Sequence, residues 1–266
     1  MNELENKVKN WVLKNGYPFE MKVASLFQEE GFKTTQSILY KDVDTNKYRE
    51  IDIVAYLNKI VNGVSFSFSF VIECKKSTDK PWLVFKNKNL INSKLDRFKP
   101  FATKNAEVLL EKVKEKNIYK NLFPNIDNSG YNLVIAFKES RDLAYLSTTS
   151  LLKACGHLVE KFNNSSLKQC NIYIPLILIE GILFDTYLDV EKELTFNKVD
   201  SSVVMNTKVL DEYDSNLIMI ASSNKLQNFV KELKCEVDSF FMDNHELLME
   251  VAKNNPINTV KRSVSL

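Results

Sequence analysis

The dipeptide Asn62-Gly63 separates two runs rich in β-branched and aromatic residues, 48–61 and 64–74. Both central positions of a type I′ turn need positive φ, which Asn and Gly tolerate, so the dipeptide predicts a two-residue β-hairpin. That turn fixes the register, with Val61 opposite Val64, Asp52 opposite Glu73 and Glu50 opposite Lys75. Alternation along the second strand puts Val64, Phe66, Phe68, Phe70, Ile72 and Cys74 on one face, and Ser65, Ser67, Ser69, Val71 and Glu73 on the other. On the first strand Ile51, Ile53, Ala55, Leu57 and Val61 supply the matching core face.

The text around the hairpin interleaves helix and strand patterns. Leu4, Val8, Trp11 and Val12 predict a helix over 3–14, and Pro18 opens a second running to Glu30 with Glu20 near its start. Phe32–Tyr40 reads as a strand, 101–116 as a helix, 131–137 as a strand and 149–162 as a helix. The apolar run 171–179 reads as a strand that Pro175 assigns to a sheet edge or a bulge, with a second strand through Phe184 and Tyr187. Short strands over 203–210 and 217–221 and helix over most of 224–251 complete the pattern. The expected class is α/β, a mixed central sheet flanked by helices with an α/β C-terminal extension.

Composition removes several chemistries. The 266 residues hold 4 Cys and 2 His, with no CxxC pair, so neither a structural zinc site nor a disulfide scaffold is expected. No stretch approaches the ~18–20 apolar residues of a membrane span, and the first residues lack the pattern of a signal peptide. The reading is a soluble, cytoplasmic protein without a membrane partner. Any enzyme among these residues works with carboxylates and lysines.

The formal charge of +2 conceals two opposed blocks. Residues 75–120 carry 13 Lys and Arg against 5 Asp and Glu, and residues 180–250 carry 6 against 15. The basic block suggests a phosphate-facing surface, with Lys76, Lys80, Lys86 and Lys88 as candidate nucleic-acid contacts. Two solvated faces that balance one another are the plainer alternative. Only four of the 36 basic residues are Arg, which favours backbone contact over bidentate base readout and hence limited sequence specificity.

Opposed residues of an antiparallel pair have Cβ atoms ~4.5–5.5 Å apart, so the register brings Asp52 and Glu73 together. Like charges at that spacing need a cation between them. Two carboxylates with waters make the oxygen-rich shell of Mg²⁺, with Mn²⁺ a possible substitute. Lys75, on the same side, supplies an ammonium that can orient water or stabilise a developing phosphorane. The plainer readings are a surface ion pair for Glu50 and Lys75, a macrodipole-complementing acid for Glu20, and a core position for Trp82.

Ile51-Asp52-Ile53-Val54 followed by Phe70-Val71-Ile72-Glu73-Cys74-Lys75-Lys76 resembles the split motif of the PD-(D/E)XK, or restriction-endonuclease-like, nucleases. The proline that names the motif is replaced by Ile51. The resemblance implies a core over 1–140, with 141–266 either extending its sheet or forming an interface. It implies Asp52 and Glu73 as metal ligands, Glu20 as an auxiliary ligand, and Lys75 as the residue that orients water. The expected activity is Mg²⁺-dependent hydrolysis of phosphodiester bonds, of DNA in the first instance with RNA left open. A homodimer or a partner subunit is compatible with it. A catalytically silent module of the same fold, binding nucleic acid or protein, is the competing expectation.

Overall fold

A computed structural model describes residues 2–87, 100–113, 128–137, 143–165, 168–209 and 213–254. Two helices, α1 (Glu3–Lys14) and α2 (Tyr17–Glu29), precede a three-stranded meander of β1 (Lys33–Asp42), β2 (Lys47–Val61) and β3 (Val64–Lys86). Then come β4 (Phe101–Ala102), α3 (Lys104–Lys112), β5 (Gly130–Ile135), α4 (Leu143–Asn163) and β6 (Gln169–Leu188). The chain continues through β7 (Leu194–Val199), β8 (Ser201–Val209) and β9 (Tyr213–Ser222), and the described part ends with α5 (Leu226–Asp243) and α6 (His245–Asn254). Among the described residues no helix is long and apolar enough to cross a membrane.

The hairpin forms as its turn residues dictate. Asn62 and Gly63 adopt φ of 49° and 76°, and the antiparallel ladder runs from Val61–Val64 to Ile53–Ile72 in the expected register. β3 does not stop at Cys74. It continues to Lys86, pairing with β5 over Trp82–Lys86 and in parallel with β6 along most of its length. The run from Lys75 to Lys80 lacks the apolar pattern of a strand, and pairing with β6 overrides that local preference as far as Ser77.

β6 is therefore an interior strand whose pairing with β3 shows no register shift at Pro175, so neither the edge nor the bulge that Pro175 suggested forms there. Pro175 pairs with Val71 on the β3 side. On its other side it falls between Ile172 and Tyr173, which pair with β4, and Leu176, where pairing with β9 begins. A residue without an N–H is tolerated at this gap because no ladder bond is due there. Gly181 marks a close approach of the two long strands, since a Cβ there would lie 2.3 Å from the carbonyl oxygen of Ser77. The β3–β6 pairing joins residues on both sides of position 140 into one sheet.

Each face of the sheet has its own core. Phe66, Phe68, Phe70 and Ile72 pack with Phe19, Val23 and Phe27 of α2 and with Phe240 and Phe241 of α5. On the opposite face Trp82, Val84, Ile177 and Ile179 meet Leu151, Cys155 and Leu158 of α4. Trp82 is a core residue, 1% exposed, as the sequence favoured. Ile51 departs from expectation, joining Tyr40 and Val71 in the second core. The cause lies across the strand. Ser37 takes a left-handed φ of 55°, and the β1–β2 ladder skips the Ser37–Asp52 position, so alternation is broken between Ile53 and Ile51.

A buried charge cluster ties the end of β1 to its neighbours. The Asp42 side chain, 1% exposed, accepts from Arg49 Nε at 2.7 Å and Lys153 Nζ at 3.0 Å, and from the amides of Asp44 and Thr45. Desolvation opposes ionisation, but these donors outweigh it and hold the carboxyl well below its ordinary 3.8. The stabilisation is fully present above the unfolded value and is lost as pH falls through the depressed folded one. Asp42→Asn is expected to lower the melting temperature at pH 7, with the gap to wild type narrowing in melts below about pH 4.

Candidate active site

Three elements converge where the hairpin ladder ends. β2 carries Glu50 and Asp52, β3 carries Glu73 and Lys75, and the first turn of α2 carries Glu20. Pairing on both sides of Asp52 is interrupted, by Ser37 in β1 and by the end of the β2–β3 ladder. Its carboxylate replaces a ladder bond, with Oδ2 accepting from the Cys74 N–H at 2.7 Å. A non-glycine residue at positive φ costs about 1–2 kcal/mol, and the strain at Ser37 lies beside the acid that the sequence singled out.

The electrostatics show that these groups feel one another. Desolvation raises the Glu20 carboxyl above its ordinary value, and the charges of Asp52 and Glu50 raise it further. Burial likewise raises Asp52, against the Cys74 amide and Lys75. Glu73 is raised by burial and by Asp52 and Glu20, although Lys75 favours its ionised form. For Lys75 burial pulls downward, but Glu73 and Asp52 prevail and its ammonium titrates above the ordinary range. Lys75 therefore stays charged at neutral pH and acts as a donor and counter-charge, not as a neutral base. Its Nζ lies 2.5 Å from Glu73 Oε1. The intervening Cys74 thiol is buried, and desolvation pushes it far above the range of a reactive thiol.

This is a cluster of four carboxylates facing one lysine. Its donors are all oxygen, and its surplus negative charge suits a hard dication. As placed the side chains form no closed cage. Among the described residues no group of three or more His, Cys, Asp or Glu converges to hold a metal ion, and Glu73 is engaged by Lys75. Glu50, exposed at the rim, adds charge to Glu20 and Asp52, but the β2–β3 ladder ends at Ile53–Ile72, so the expected oppositions of Asp52 to Glu73 and Glu50 to Lys75 are not ladder pairs. The kink at Ser37 has no counterpart in the sequence pattern.

The expected phosphate contacts fare differently. Lys86 is a correction. Because β3 runs on to this residue, its side chain is 3% exposed and pairs with Asp185 at 2.6 Å, while Asp185 also accepts from Ser202 Oγ. Lys76 donates to the carbonyl of Leu13 at 2.9 Å and lies 3.9 Å from Glu180, tying α1 to β3 and β6. Lys80 is half-buried at the irregularity between Ser77 and Trp82, its carbonyl accepting from Ser77 Oγ. Lys88 lies outside the described residues.

Glu20 offers a direct discrimination. If it only complements the dipole of α2, Glu20→Gln lowers the melting temperature. If burial and the repulsion of Asp52 and Glu50 prevail, the folded carboxyl titrates above its unfolded value and its charge costs stability above that range. Glu20→Gln is then expected to raise the melting temperature at pH 7, with the gain vanishing below about pH 4.5. Parallel thermal melts at the two pH values decide between them.

No protein-family model matches the chain, and no match was found among curated proteins or solved structures.

Proposed function

We propose that the chain is a metal-dependent nuclease of the restriction-endonuclease-like class that hydrolyses phosphodiester bonds of DNA, with limited sequence specificity. The observation that carries the reading is the electrostatic cluster of Glu20, Asp52, Glu73 and Lys75, drawn from three elements to the point where the hairpin ladder opens. Asp52 and Glu73 would hold Mg²⁺ or Mn²⁺, with Glu20 as an auxiliary ligand. The ion, when bound, supplies Lewis acidity and a more acidic bound water. Asp52 is held for this work by the Cys74 amide, which fixes one carboxylate oxygen. Lys75, kept cationic by its acidic neighbours, donates to the attacking water or to a non-bridging phosphate oxygen as charge develops. To hold the ion, Glu73 would have to exchange its pair with Lys75 for it.

A second reading, a silent module that binds nucleic acid or protein, draws on the Glu73–Lys75 pair and the burial of Lys86. One experiment separates them. Circular, linear and single-stranded DNA are incubated with wild type or Glu73→Ala in Mg²⁺ or Mn²⁺. Cleavage by wild type alone is expected, and DNA left equally intact by both proteins on every substrate rejects hydrolysis.

A further inference from the structure

A cleft of about 410 Å³ lies away from the carboxylate cluster, over the face of β1, β2, β3 and β6 beside the end of α4. The volume falls in the range of small-molecule sites. Its lining is chemically one-sided. Lys33 and Lys161 line it and no Asp or Glu does, and among the described residues neither lysine has an ion-pair partner. Lys33 Nζ reaches Asn58 Oδ1 at 3.2 Å and lies 5.9 Å from the Tyr56 ring centroid. Tyr56, Phe162 and Tyr173 give aromatic surface, with the last two rings 6.3 Å apart.

The floor is built from alternate residues of β3. Ser65, Ser67 and Ser69 keep it low and polar where bulkier side chains would fill the space. Ser67 and Ser69 are 7% and 5% exposed, and their hydroxyls are 3.2 Å apart. Such a pair shares one proton, so the second hydroxyl hydrogen has no acceptor among the described residues. The cleft thus offers two cations, an unused donor and aromatic walls. We propose that it binds a mononucleotide, with phosphate between Lys33 and Lys161, the ring against Tyr56, Phe162 or Tyr173, and a ring or sugar acceptor on the serine pair. The site is separate from the carboxylate cluster and does not depend on the nuclease reading.

Calorimetry in EDTA tests this without a metal to bridge phosphate to the carboxylates. The probes are AMP, ATP and GTP, with adenosine and inorganic phosphate as half-ligands. The expected result is saturable binding of at least one nucleotide, with each half-ligand about tenfold weaker or worse. Lys161→Glu, at an exposed position, and Ser67→Leu, which fills the floor, should each weaken binding about tenfold or more. Lys161→Glu keeps the test sound should Ser67→Leu fold poorly. Binding of no nucleotide, or equal binding in wild type and Lys161→Glu, overturns the proposal. So does a single-stranded oligonucleotide that binds in a Lys161-dependent manner while every mononucleotide fails.

Discussion

Asp52→Asn is expected to reduce metal-dependent DNA cleavage by about 10²–10³-fold or more, the scale on which one charge-stabilising group at a reacting centre acts. The substitution keeps the shape and an oxygen that can still accept from the Cys74 amide, so the fold has no reason to fail. On the proposed reading it removes one of the two carboxylates that would hold the ion, and with it affinity for that ion. Mn²⁺ should accordingly raise the melting temperature of wild type and leave that of Asp52→Asn nearly unmoved, since a ligand that binds only the folded state stabilises it by mass action. Thermal melts across a Mn²⁺ series, run beside a cleavage assay, read both effects. A variant that cleaves like wild type removes Asp52 from the mechanism.

Phe70→Ala should produce the largest loss of stability, about 3–5 kcal/mol. The side chain is fully buried, with ring centroids 6.3 Å from Phe27 and 5.8 Å from Phe32, the second pair edge to face. Truncation removes apolar burial and leaves a cavity beneath α2. Because α2 also presents Glu20 to the cluster, the damage should extend to activity in the surviving folded fraction. Denaturant titration measures the first effect. A loss under 1 kcal/mol would show that the aromatic cluster collapses around the gap.

The parts of this protein that local chemistry dictates were legible in its residues. Asn62-Gly63 set the hairpin register as far as Ile53–Ile72, whereas the contact of Asp52 with β3 is a side-chain bond to the Cys74 amide beyond the end of that ladder. The alternation of Phe66, Phe68 and Phe70 identified one core face, and α1 begins and ends where its apolar spacing predicts. What escaped was set by distant partners. The polar run from Lys75 to Lys80 has no strand pattern of its own, and Ser77 and its predecessors are drawn into the sheet by β6. Pro175 is tolerated inside the sheet because of a gap between two other strands. β7 was missed although Leu194 and Phe196 alternate with Thr195 and Asn197, because the run is short and most of its side chains stay exposed; among the described residues it pairs with β6 alone. Lys86 looked like one more surface cation, and only the placement of Asp185 makes it a buried one.

The parallel pairing of β3 with β6 bears on how the chain is made. Ser65 meets Gln169 and Phe85 meets Thr186, so most residues of β3 wait for a β6 partner roughly 100 positions downstream. At about 5–20 residues per second, the edge of β3 turned away from β2 stays open for ~5–20 s before β6 emerges. The unpaired N–H and C=O groups of that edge are then a template for pairing with another nascent chain. Slower elongation lengthens that interval, and a higher density of nascent chains raises the chance that the open edge meets another copy first.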